Sequence, residues 1–474
     1  MQQHLMLINV DQWIGSYLGC AGNSYIMTPT LDQLAQDGIR FDHFYSECPV
    51  CIPARRSLMT GLSPRTHGDR VYSACMGMPH TPTLAQCFHD AGYQTVAVGK
   101  LHVYPQRSRI GFDEVILQEE GRYEFGVTDD YQTWLGENGY AGMEFMHGMG
   151  NNTYYTRPWP LPERAHPTVW GTWQMVKQIQ RRDPNRPGFF YMSYQFPHPP
   201  LVPLQSYLDM YAPEEVEDPF CGDWVDDSFI MKKMCAPASS YTAKEQRMAR
   251  RAYYAQCTLI DHQIRLLIGT LRECGILNNT VIAFVSDHGD MLFDHKMVAK
   301  RCLYENAARV PFILSGRPVA ALRAKVDHRL GCLEDVMPTL LGLFGIPVPA
   351  CVEGQSLLTD TPREMLYGEI SEGEKATRMV LGERYKLIYY PYGNVKQLFD
   401  LQNDPRELHD LCHDEGSASV RDRLERFLME NLYGNDTAWI KNGNLVGVPA
   451  PGYQTEPNYE LSNQRGLHWP LNSL

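Results

Sequence analysis

Apolar runs of strand length, separated by helical patterns, constrain the fold of this chain more than any other feature. Such runs occur at Leu5–Val10, Thr95–Val98, Phe189–Tyr194 and Val281–Val285, and the last follows a long helical pattern from Thr242 to about Cys274. Nearly continuous apolar strands that alternate with helices are typical of parallel sheets covered on both faces. We therefore predict an α/β fold with a large, mostly parallel central sheet flanked by helices.

The helix boundaries carry local signals of their own. The long helix begins with a Thr242-x-x-Glu capping box, and Gly275 stands at its end. A shorter helix begins at the Thr-Pro-Thr stretch from Thr28 and ends at Gly38. Threonine caps and terminal glycines satisfy the unpaired backbone groups of helix ends, so both helices have defined predicted boundaries.

The pattern changes beyond about residue 360. Met379–Leu381 and Tyr385–Tyr390 predict adjacent strands, Gln397–Leu401 predicts a third, and Ser419–Leu432 predicts a helix. We therefore predict a larger domain of residues 1–360 and a smaller C-terminal α+β domain of residues 361–474, with a short antiparallel sheet and an irregular tail.

Composition excludes several classes of function. The formal net charge is −12, from 43 Lys+Arg against 55 Asp+Glu, which argues against a general nucleic-acid binder. No stretch approaches the roughly 18 apolar residues of a membrane span, and the N-terminus lacks a basic leader. The 13 cysteines are odd in number and the chain is too large to need disulfide staples, which predicts a reduced, cytoplasmic protein.

Metal-type and anion-binding side chains follow all four predicted strands. They are Asp11 and Gln12 after the first strand, Lys100 and His102 after the second, His198 after the third, and Asp287 and His288 after the fourth. A single polar residue after a strand is usually a solvated loop group. Functional groups of open α/β sheets do, however, collect beyond the carboxyl ends of strands. The set predicts a cation held by Asp11, Gln12, Asp287 and His288, next to a pocket with cationic donors.

Cys51 differs from the other cysteines in its position. Pro53 suits the first turn of a helix and Gly61 its end, so Cys51 lies at or just before a helix N-terminus, where unpaired N–H groups favour an anion. Arg55 lies four residues on, close enough to hold an oxyanion or its nucleophile. Cys48-x-x-Cys51 also has the spacing of a redox pair or half a zinc site, and a buried inert cysteine is the ordinary alternative.

Together these residues resemble the type I, formylglycine-dependent sulfatases of the alkaline-phosphatase-like superfamily. The family signature Cys-x-Pro-x-Arg, followed by a short helix ending in Thr-Gly, stands here as Cys51-Ile-Pro-Ala-Arg55 and Leu58-Met-Thr-Gly61. The resemblance covers nearly the whole chain. It includes Gly99-Lys-Leu-His102, Pro197-His-Pro199, Ser286-Asp-His-Gly289, Lys300 before Leu303-Tyr-Glu305, Arg309-Val-Pro311, Asp335-x-Met-Pro-Thr-Leu-Leu341 and Leu398-Phe-Asp-Leu-x-Asn-Asp-Pro405.

The resemblance implies a hydrolase of sulfuric esters, either a sulfated carbohydrate or an aryl or alkyl sulfate, with residues 1–360 as the catalytic domain. Cys51 would be converted to formylglycine by a separate maturation enzyme that acts on the unfolded chain. One hydroxyl of the hydrated aldehyde would attack sulfur to form a covalent sulfo-enzyme, and the second would expel sulfate.

The resemblance also assigns roles to the other residues. Arg55 would hold the diol, Lys100 and Lys300 would neutralise the sulfuryl oxygens, His102 would act as base on the second hydroxyl, and His198 would protonate the leaving alcohol. A divalent metal would bind a diol oxygen of residue 51 together with Asp11, Gln12, Asp287 and His288.

Two positions depart from the common family pattern, which has paired aspartates on the first strand and Asp-Asn on the last. This chain has Asp11-Gln12 and Asp287-His288, so the site carries less negative charge. The family resemblance implies Ca²⁺, which prefers oxygen ligands. Because of the two departures, Mg²⁺ or Mn²⁺ is a stronger alternative here than in most members of the family. Glutamine at this place also occurs in related phosphonate monoester and phosphodiester hydrolases.

Two alternative functions therefore stay open: a phosphonate monoester or phosphodiester hydrolase with the same nucleophile, and an inactive sulfate-sugar-binding relative. The substrate is equally open. The segment from Tyr104 to His166 predicts either a carbohydrate subsite or ordinary surface loops, and carries Arg107, Arg109, Arg157, Arg164, Trp134 and Trp159 outside any predicted element. Trp439 and Trp469 are candidates to close over the pocket or a neighbouring subunit of a homo-oligomer.

Overall fold

Strands and helices alternate along most of the chain. The computed structural model describes residues 3–122, 128–213, 216–317, 319, 325–359 and 361–452. The strands are β1 His4–Asp11, β2 Ile39–Phe41, β3 Phe44–Tyr45, β4 Gln94–Gly99, β5 Glu114–Leu117, β6 Gly188–Pro197, β7 Thr280–Ser286, β8 Phe312–Ser315, β9 Val326–Asp327, β10 Gly331–Cys332, β11 Met365–Ile370, β12 Thr377–Gly382, β13 Tyr385–Tyr390, β14 Val395–Asp400, β15 Ile440–Lys441 and β16 Asn444–Leu445. The α-helices are α1 Pro29–Asp37, α2 Cys51–Thr60, α3 Pro64–His67, α4 Leu84–Asp90, α5 Asp130–Glu137, α6 Pro167–Arg181, α7 Gln205–Leu208, α8 Phe229–Cys235, α9 Ala243–Glu273, α10 Glu305–Ala308, α11 Val336–Leu343 and α12 Ala418–Asn431.

An eight-stranded sheet with the order β5-β4-β6-β1-β7-β8-β2-β9 forms the centre of the molecule. β1 pairs in parallel with both neighbours, and its Ile8 is in register with Met192 of β6 and Phe284 of β7. Among these eight strands β8 alone is reversed. The predicted fold class is confirmed, and β1, β4, β6 and β7 extend the four predicted strands by one to three residues at their ends.

Side chains of β1 alternate between two apolar layers. Leu5 and Leu7 pack with α2, α4 and α11 on one face, whereas Met6, Ile8 and Val10 pack with α1, α6 and α9 on the other. Successive side chains of a strand point to opposite faces of the sheet. Because both faces of this sheet are covered, both sets of side chains are apolar, and the sequence of the strand is a continuous apolar run.

Both predicted helix boundaries are confirmed. α9 begins after Thr242 with the reciprocal hydrogen bonds of the predicted capping box. α1 begins after Thr28 and is followed by Gly38.

The C-terminal sheet has the order β11-β12-β13-β14 and is antiparallel, as predicted, although β11 is a fourth strand that the sequence pattern did not indicate. Leu424 and Leu428 of α12 cover one of its faces. The other face shares an apolar cluster with Tyr45 and Leu303 of the larger part. The boundary between residues 360 and 361 stays a prediction.

Trp439 packs in the C-terminal core, buried against Tyr389, and Trp469 lies outside the described residues. All 13 cysteines fall in the described part and all are free thiols, Cys48 and Cys51 included. None of the helices described here combines the length and apolar composition that a bilayer crossing requires.

Candidate active site

The carboxyl ends of β4, β6, β1 and β7 meet at one edge of the central sheet, because these four strands are adjacent and parallel. The residues that follow them therefore converge, and α2 adds two more. The converging residues that are buried are Asp11, Gln12, Cys51, Arg55, Lys100, His102, His198, Asp287 and His288. Lys300 is partly buried and completes the set. We call the space between Cys51, Lys100, His198 and Lys300 the reaction pocket.

Cys51 is the first residue of α2, preceded by Val50 in extended conformation, as predicted. Its Sγ lies 3.2 Å from Nε2 of His288 and 3.9 Å from Oδ1 of Asp11. The helix N-terminus adds a positive dipole end at this point. The Cys51 side chain is thus held inside the protein, with its Sγ directed at the edge of the sheet.

The cations of the pocket outweigh the burial of this thiol. Burial and the Asp11 carboxylate raise the pKa of Cys51. Lys300, Lys100 and His288 together lower it by a larger amount, so the pKa of this thiol lies below the usual value for cysteine. The local potential therefore favours an anion at this position.

Asp11, Cys51, Asp287 and His288 offer ligand atoms that all lie within 4.8 Å of one another. Nδ1 of His288 lies 3.0 Å from the Gly289 carbonyl oxygen, which directs Nε2 into the cluster. Two carboxylates and an imidazole Nε2 are a donor set that suits a divalent metal, and the orienting carbonyl is the partner that metal-bound histidines commonly have.

Neighbouring cations keep the Asp11 carboxylate ionised. Burial would raise its pKa, but Lys100, His198, Arg55 and His288 hold it well below its usual range. Lys100 Nζ contacts Oδ2 of Asp11 directly. Asp11 is therefore ready to bind a cation without losing a proton.

Gln12 has its side chain fully engaged within the protein. Its Oε1 accepts a hydrogen bond from Lys300 Nζ at 2.6 Å, and its Nε2 donates to Oδ2 of Asp290 at 2.6 Å and to the Tyr154 hydroxyl at 3.1 Å. Its backbone is in the left-handed region, with φ 71°. The predicted metal ligand thus lies beside the donor set, while its carbonyl oxygen pairs with Lys300.

Arg55 joins the ends of several strands. Its Nε donates to Oδ2 of Asp287 at 2.8 Å, and its Nη1 donates to the Lys100 carbonyl oxygen at 2.7 Å and to Oγ of Ser193 at 2.8 Å. Nη2 lies 3.6 Å from Oδ2 of Asp11. The guanidinium therefore fixes the positions of both carboxylates of the donor set.

Lys100 and His102 lie on the loop that follows β4. Lys100 Nζ lies 3.0 Å from Oε1 of Glu120 in addition to its contact with Asp11. The backbone N–H groups of Leu101 and His102 donate to Oε1 of Glu119 at 2.8 and 3.0 Å. Burial, followed by the charges of Lys100 and Arg55, lowers the pKa of His102 well below its usual value, so the ring is neutral.

His198 and Lys300 contact each other across the pocket. Nε2 of His198 lies 2.6 Å from Lys300 Nζ, and its Nδ1 lies 2.7 Å from the Pro199 carbonyl oxygen. Among the residues that the structure describes, no carboxylate lies within ion-pair distance of Lys300. Within the described part of the chain, its ammonium group contacts the neutral Gln12 oxygen and the His198 imidazole.

Sequence reasoning missed several residues of this region. Glu119 and Glu120 follow β5, whose half-exposed pattern lacks the apolar run that indicates a buried strand. Asp290 follows Asp287 by three residues and was within reach of the strand-end argument. Ser193 lies inside β6 and carries no local signal.

The long segment between residues 104 and 166 differs in part from the prediction. Trp134 lies within α5 and packs against an apolar cluster, and Trp159 is buried against His166. Arg107 pairs with Asp130 at the surface. For these residues the alternative of core tryptophans and ordinary surface groups is the correct one.

Comparison with known proteins gives the same assignment over nearly the whole chain. Residues 3–346 match the sulfatase family model, and residues 293–433 match the model described as the C-terminal part of N-sulphoglucosamine sulphohydrolase. The chain is 36% identical to an arylsulfatase of Clostridium perfringens over 95% of its own length and 98% of the relative. It is 30% identical to a choline-sulfatase of Rhizobium meliloti over 86% of its length and 82% of the relative.

Solved structures share the fold at lower identity. A phosphonate monoester hydrolase of Agrobacterium radiobacter superposes with a TM-score of 0.76 at 21% identity, covering 90% of this chain and 95% of that one.

Proposed function

The chain belongs to the sulfatase family and is an enzyme of that class, and from this premise we propose that it hydrolyses a sulfuric ester with a formylglycine at position 51 as nucleophile. The observation that carries the proposal is the position of Cys51 at a helix N-terminus, between the Asp11–Asp287–His288 donor set and the Lys100 and Lys300 ammonium groups. A tetrahedral anion that is attacked at its centre needs this combination of nucleophile, metal donors and fixed cations.

Each of the surrounding residues has its own role in the proposed reaction. Arg55 holds the nucleophile side of the pocket rigid through its bonds to Asp287 and Ser193. Lys100 and Lys300 neutralise the sulfuryl oxygens without moving, because protein contacts already fix their positions. A divalent metal bound by Asp11, Asp287 and His288 would supply Lewis acidity, which withdraws charge from a sulfate oxygen and lowers the pKa of the attacking hydroxyl.

Two histidines handle the protons. Nε2 of His198 lies 2.6 Å from Lys300 Nζ, and we assign to this pair the protonation of the alcohol oxygen as the S–O bond breaks. Neutral His102 can accept the proton of the second hydroxyl when sulfate is expelled. Each histidine thus serves one proton transfer, one for each half of the reaction.

Maturation is tested by mass spectrometry of the peptide that contains residue 51. We expect the mass of formylglycine at residue 51 when the protein is produced together with a maturation enzyme, and the mass of unmodified cysteine when it is produced without one. Cys48→Ala serves as the control and should mature and turn over normally. Fully active protein that contains only unmodified cysteine at position 51 would refute the proposed nucleophile.

Substrate class is tested with one aryl sulfate and one aryl phosphonate ester that have the same leaving group. We expect a higher kcat/KM for the sulfate. The specific reason to include the phosphonate is Gln12, a neutral residue where the common family pattern has a second aspartate. A much higher kcat/KM for the phosphonate would replace the sulfatase proposal by the phosphonate monoester hydrolase one, and no turnover of either would favour a sulfate-sugar binder.

Metal identity is tested by removing divalent ions with a chelator and restoring them singly. We propose Ca²⁺ and expect it to restore the most activity, with Mg²⁺ and Mn²⁺ as the comparisons, because two carboxylates dominate the donor set. If Mn²⁺ restored the most activity, the His288 nitrogen would instead be the ligand that determines the metal preference.

We further propose that the protein works in a reducing, cytoplasmic compartment. All 13 cysteines are free thiols, and several, such as Cys75, Cys221 and Cys351, are exposed. Exposed thiols persist where glutathione and thioredoxin keep them reduced. Fractionation of the native host tests the location, and recovery outside the cytoplasm would contradict it.

A further inference from the structure

Glu119 follows β5 at the carboxyl edge of the central sheet, beside the loop that follows β4. The two strands pair in parallel as far as Gly99 and Leu117, and one further bond runs from the Gln118 N–H to the Gly99 carbonyl oxygen at 3.1 Å. The next residue, Glu119, is fully buried and contacts the loop through its side chain. A carboxylate thus takes over as the acceptor where the backbone pairing of the two strands ends.

The side chain of Glu119 holds this loop at His102. Its Oε1 accepts the N–H groups of Leu101 and His102 at 2.8 and 3.0 Å. His102 is buried and has φ 61°, in the left-handed region that residues other than glycine rarely adopt. Because buried N–H groups need an acceptor, removal of the Glu119 oxygen would destabilise this conformation of the loop.

Asp129 fixes the position of Glu119 in turn. Oδ2 of Asp129 accepts the Glu119 N–H at 2.7 Å, and its Oδ1 accepts the Gln132 N–H at 2.8 Å as the N-cap of α5. Asp129 is also buried. Two buried side chains therefore connect the start of α5 to the backbone of His102.

The hydrogen bonds of Glu119 to the loop do not depend on its charge. Burial raises the pKa of this carboxyl to about 7, while the N–H groups of His102 and Leu101 lower it. Its Oε2 makes no hydrogen bond with the residues that the structure describes. With a proton on Oε2, the neutral acid keeps Oε1 as an acceptor, and a glutamine has the same acceptor.

We propose that Glu119 is a positioning residue of the enzyme, which acts on the reaction through His102. The inference rests on the proposed function for the role of His102 as the base in the second half of the reaction. In that step the second hydroxyl of residue 51 gives its proton to His102, the aldehyde C=O forms again, and the C–O bond to sulfate breaks with its electron pair on the sulfate. Displacement of His102 therefore slows the release of sulfate and leaves the cleavage of the ester unaffected.

Three variants of Glu119 test this role in the matured, metal-loaded enzyme. Glu119→Ala removes the acceptor, and we expect it to slow sulfate release about 10²-fold, the effect of a misplaced catalytic group. Since ester cleavage is unaffected, kcat and KM for an aryl sulfate should fall together, and the residue 51 peptide from acid-quenched enzyme should carry covalent sulfate by mass spectrometry. Glu119→Gln should stay within about threefold of the native rate of release, and Glu119→Asp, with its shorter side chain, should slow release about tenfold.

Asp261→Ala is the matched control for the loss of a buried acceptor. Asp261 is likewise fully buried, and it accepts two successive backbone N–H groups, those of Thr30 and Leu31, at 3.1 and 2.8 Å. We expect Asp261→Ala to lower the thermal midpoint, as Glu119→Ala does, and to leave kcat and KM at their native values. Native sulfate release in Glu119→Ala, or release as slow in Glu119→Gln as in Glu119→Ala, would overturn the proposal. If Glu119→Ala does not fold, native release in Glu119→Asp would do the same.

Histidine NMR separates the positioning role from the proposed function. In protein labelled with ¹³C at the histidine Cε1 atoms, the His102 signal is identified by its loss in His102→Gln. We expect this signal to shift in Glu119→Ala and to keep its position in Glu119→Gln and Asp261→Ala. Such a shift in a protein that does not hydrolyse aryl sulfates would support the positioning role and refute the proposed function. Hydrolysis by the native enzyme together with an unshifted His102 signal in Glu119→Ala would refute the positioning role and leave the proposed function intact.

Discussion

Lys386, at the contact between the central and C-terminal sheets, and Lys300, in the reaction pocket, have opposite surroundings. Lys386, on β13, is fully buried, and its Nζ lies 2.6 Å from Oε1 of Glu305, 2.8 Å from Oε1 of Glu407 and 3.1 Å from the Leu303 carbonyl oxygen. Three ammonium donors thus face three acceptors, two of them charged. Lys300, among the residues that the structure describes, contacts the neutral Gln12 oxygen and the His198 ring and no carboxylate.

The difference separates charge that stabilises the fold from charge that can bind a ligand. Burial lowers the pKa of Lys386, but Glu305 and Glu407 raise it above its usual value, so the ion pair is complete within the protein. Lys300 keeps a charge that no carboxylate of the described chain neutralises. A sulfate group can meet that charge without displacing an internal partner.

Removal of Lys386 gives the largest expected effect. Lys386→Met leaves two carboxylates buried without their cation, which costs about 3–5 kcal/mol in the free energy of unfolding. Urea unfolding measures the loss. Adding Glu305→Gln and Glu407→Gln to the same chain should recover part of it, and a loss below about 1 kcal/mol would show that the comparison of the two lysines is wrong.

Removal of Lys300 should instead affect the reaction. Lys300→Ala is expected to lower kcat on an aryl sulfate by about 10²–10³, the usual effect of losing one electrostatic donor from a closed site, and to leave the thermal midpoint close to that of the native enzyme. Lys296→Ala, an exposed lysine four residues earlier, is the matched control. Aggregation or a large fall in the midpoint would assign Lys300 a structural role.

Asp290 should act on the pocket through Gln12. Its Oδ2 accepts from Gln12 and from Tyr154 at 2.6 Å each, and its Oδ1 accepts the N–H groups of Leu292 and Ala299 at 2.8 and 2.9 Å. Asp290→Asn turns an acceptor into a donor facing the Gln12 amide, so we expect kcat to fall about tenfold, the free-energy equivalent of about one hydrogen bond. Tyr154→Phe should cost less, and a change in KM alone would contradict a positioning role.

Substitution of Glu119 by glutamine is expected to give the smallest effect. Like Lys300, the buried carboxyl of Glu119 has no ion-pair partner in the described chain. Burial raises its pKa to about 7. The folded state therefore holds a proton that the unfolded state releases above its ordinary pKa, so this contribution to stability is lost as the pH rises from about 4.5 to about 7. Glu119→Gln keeps the acceptor for the Leu101 and His102 N–H groups and should flatten the fall of the thermal midpoint over that range. An unchanged slope would contradict the raised pKa.

Much of the fold was predictable because its signals are local. β1 and β7 are apolar over their whole length, and α9 carries its capping box within four residues. β11 was missed because it contains Gly368 and the buried Glu369. That carboxylate is compatible with burial because Arg70, almost three hundred positions earlier, lies 2.8 Å from it and Tyr433 donates to its other oxygen at 3.0 Å.

The candidate site divides in the same way. Residue types after strand ends, together with the Cys51 motif, selected nine of its residues, and the family resemblance added Lys300. The contacts of Gln12 with Asp290 and of Arg122 with Tyr72 were not predictable, because they join loops that approach one another only in the folded chain.

The sequence by itself determined the alternation of strands and helices, the place of Cys51 at the start of α2, and the kinds of side chain at the sheet edge. These follow from local backbone geometry and from apolar periodicity, which act over a few residues. Only the tertiary structure decided which charges are neutralised internally, as at Lys386, and which remain available, as at Lys300. Coulomb interactions and hydrogen bonds depend on distances of a few ångströms between atoms that are far apart in the chain.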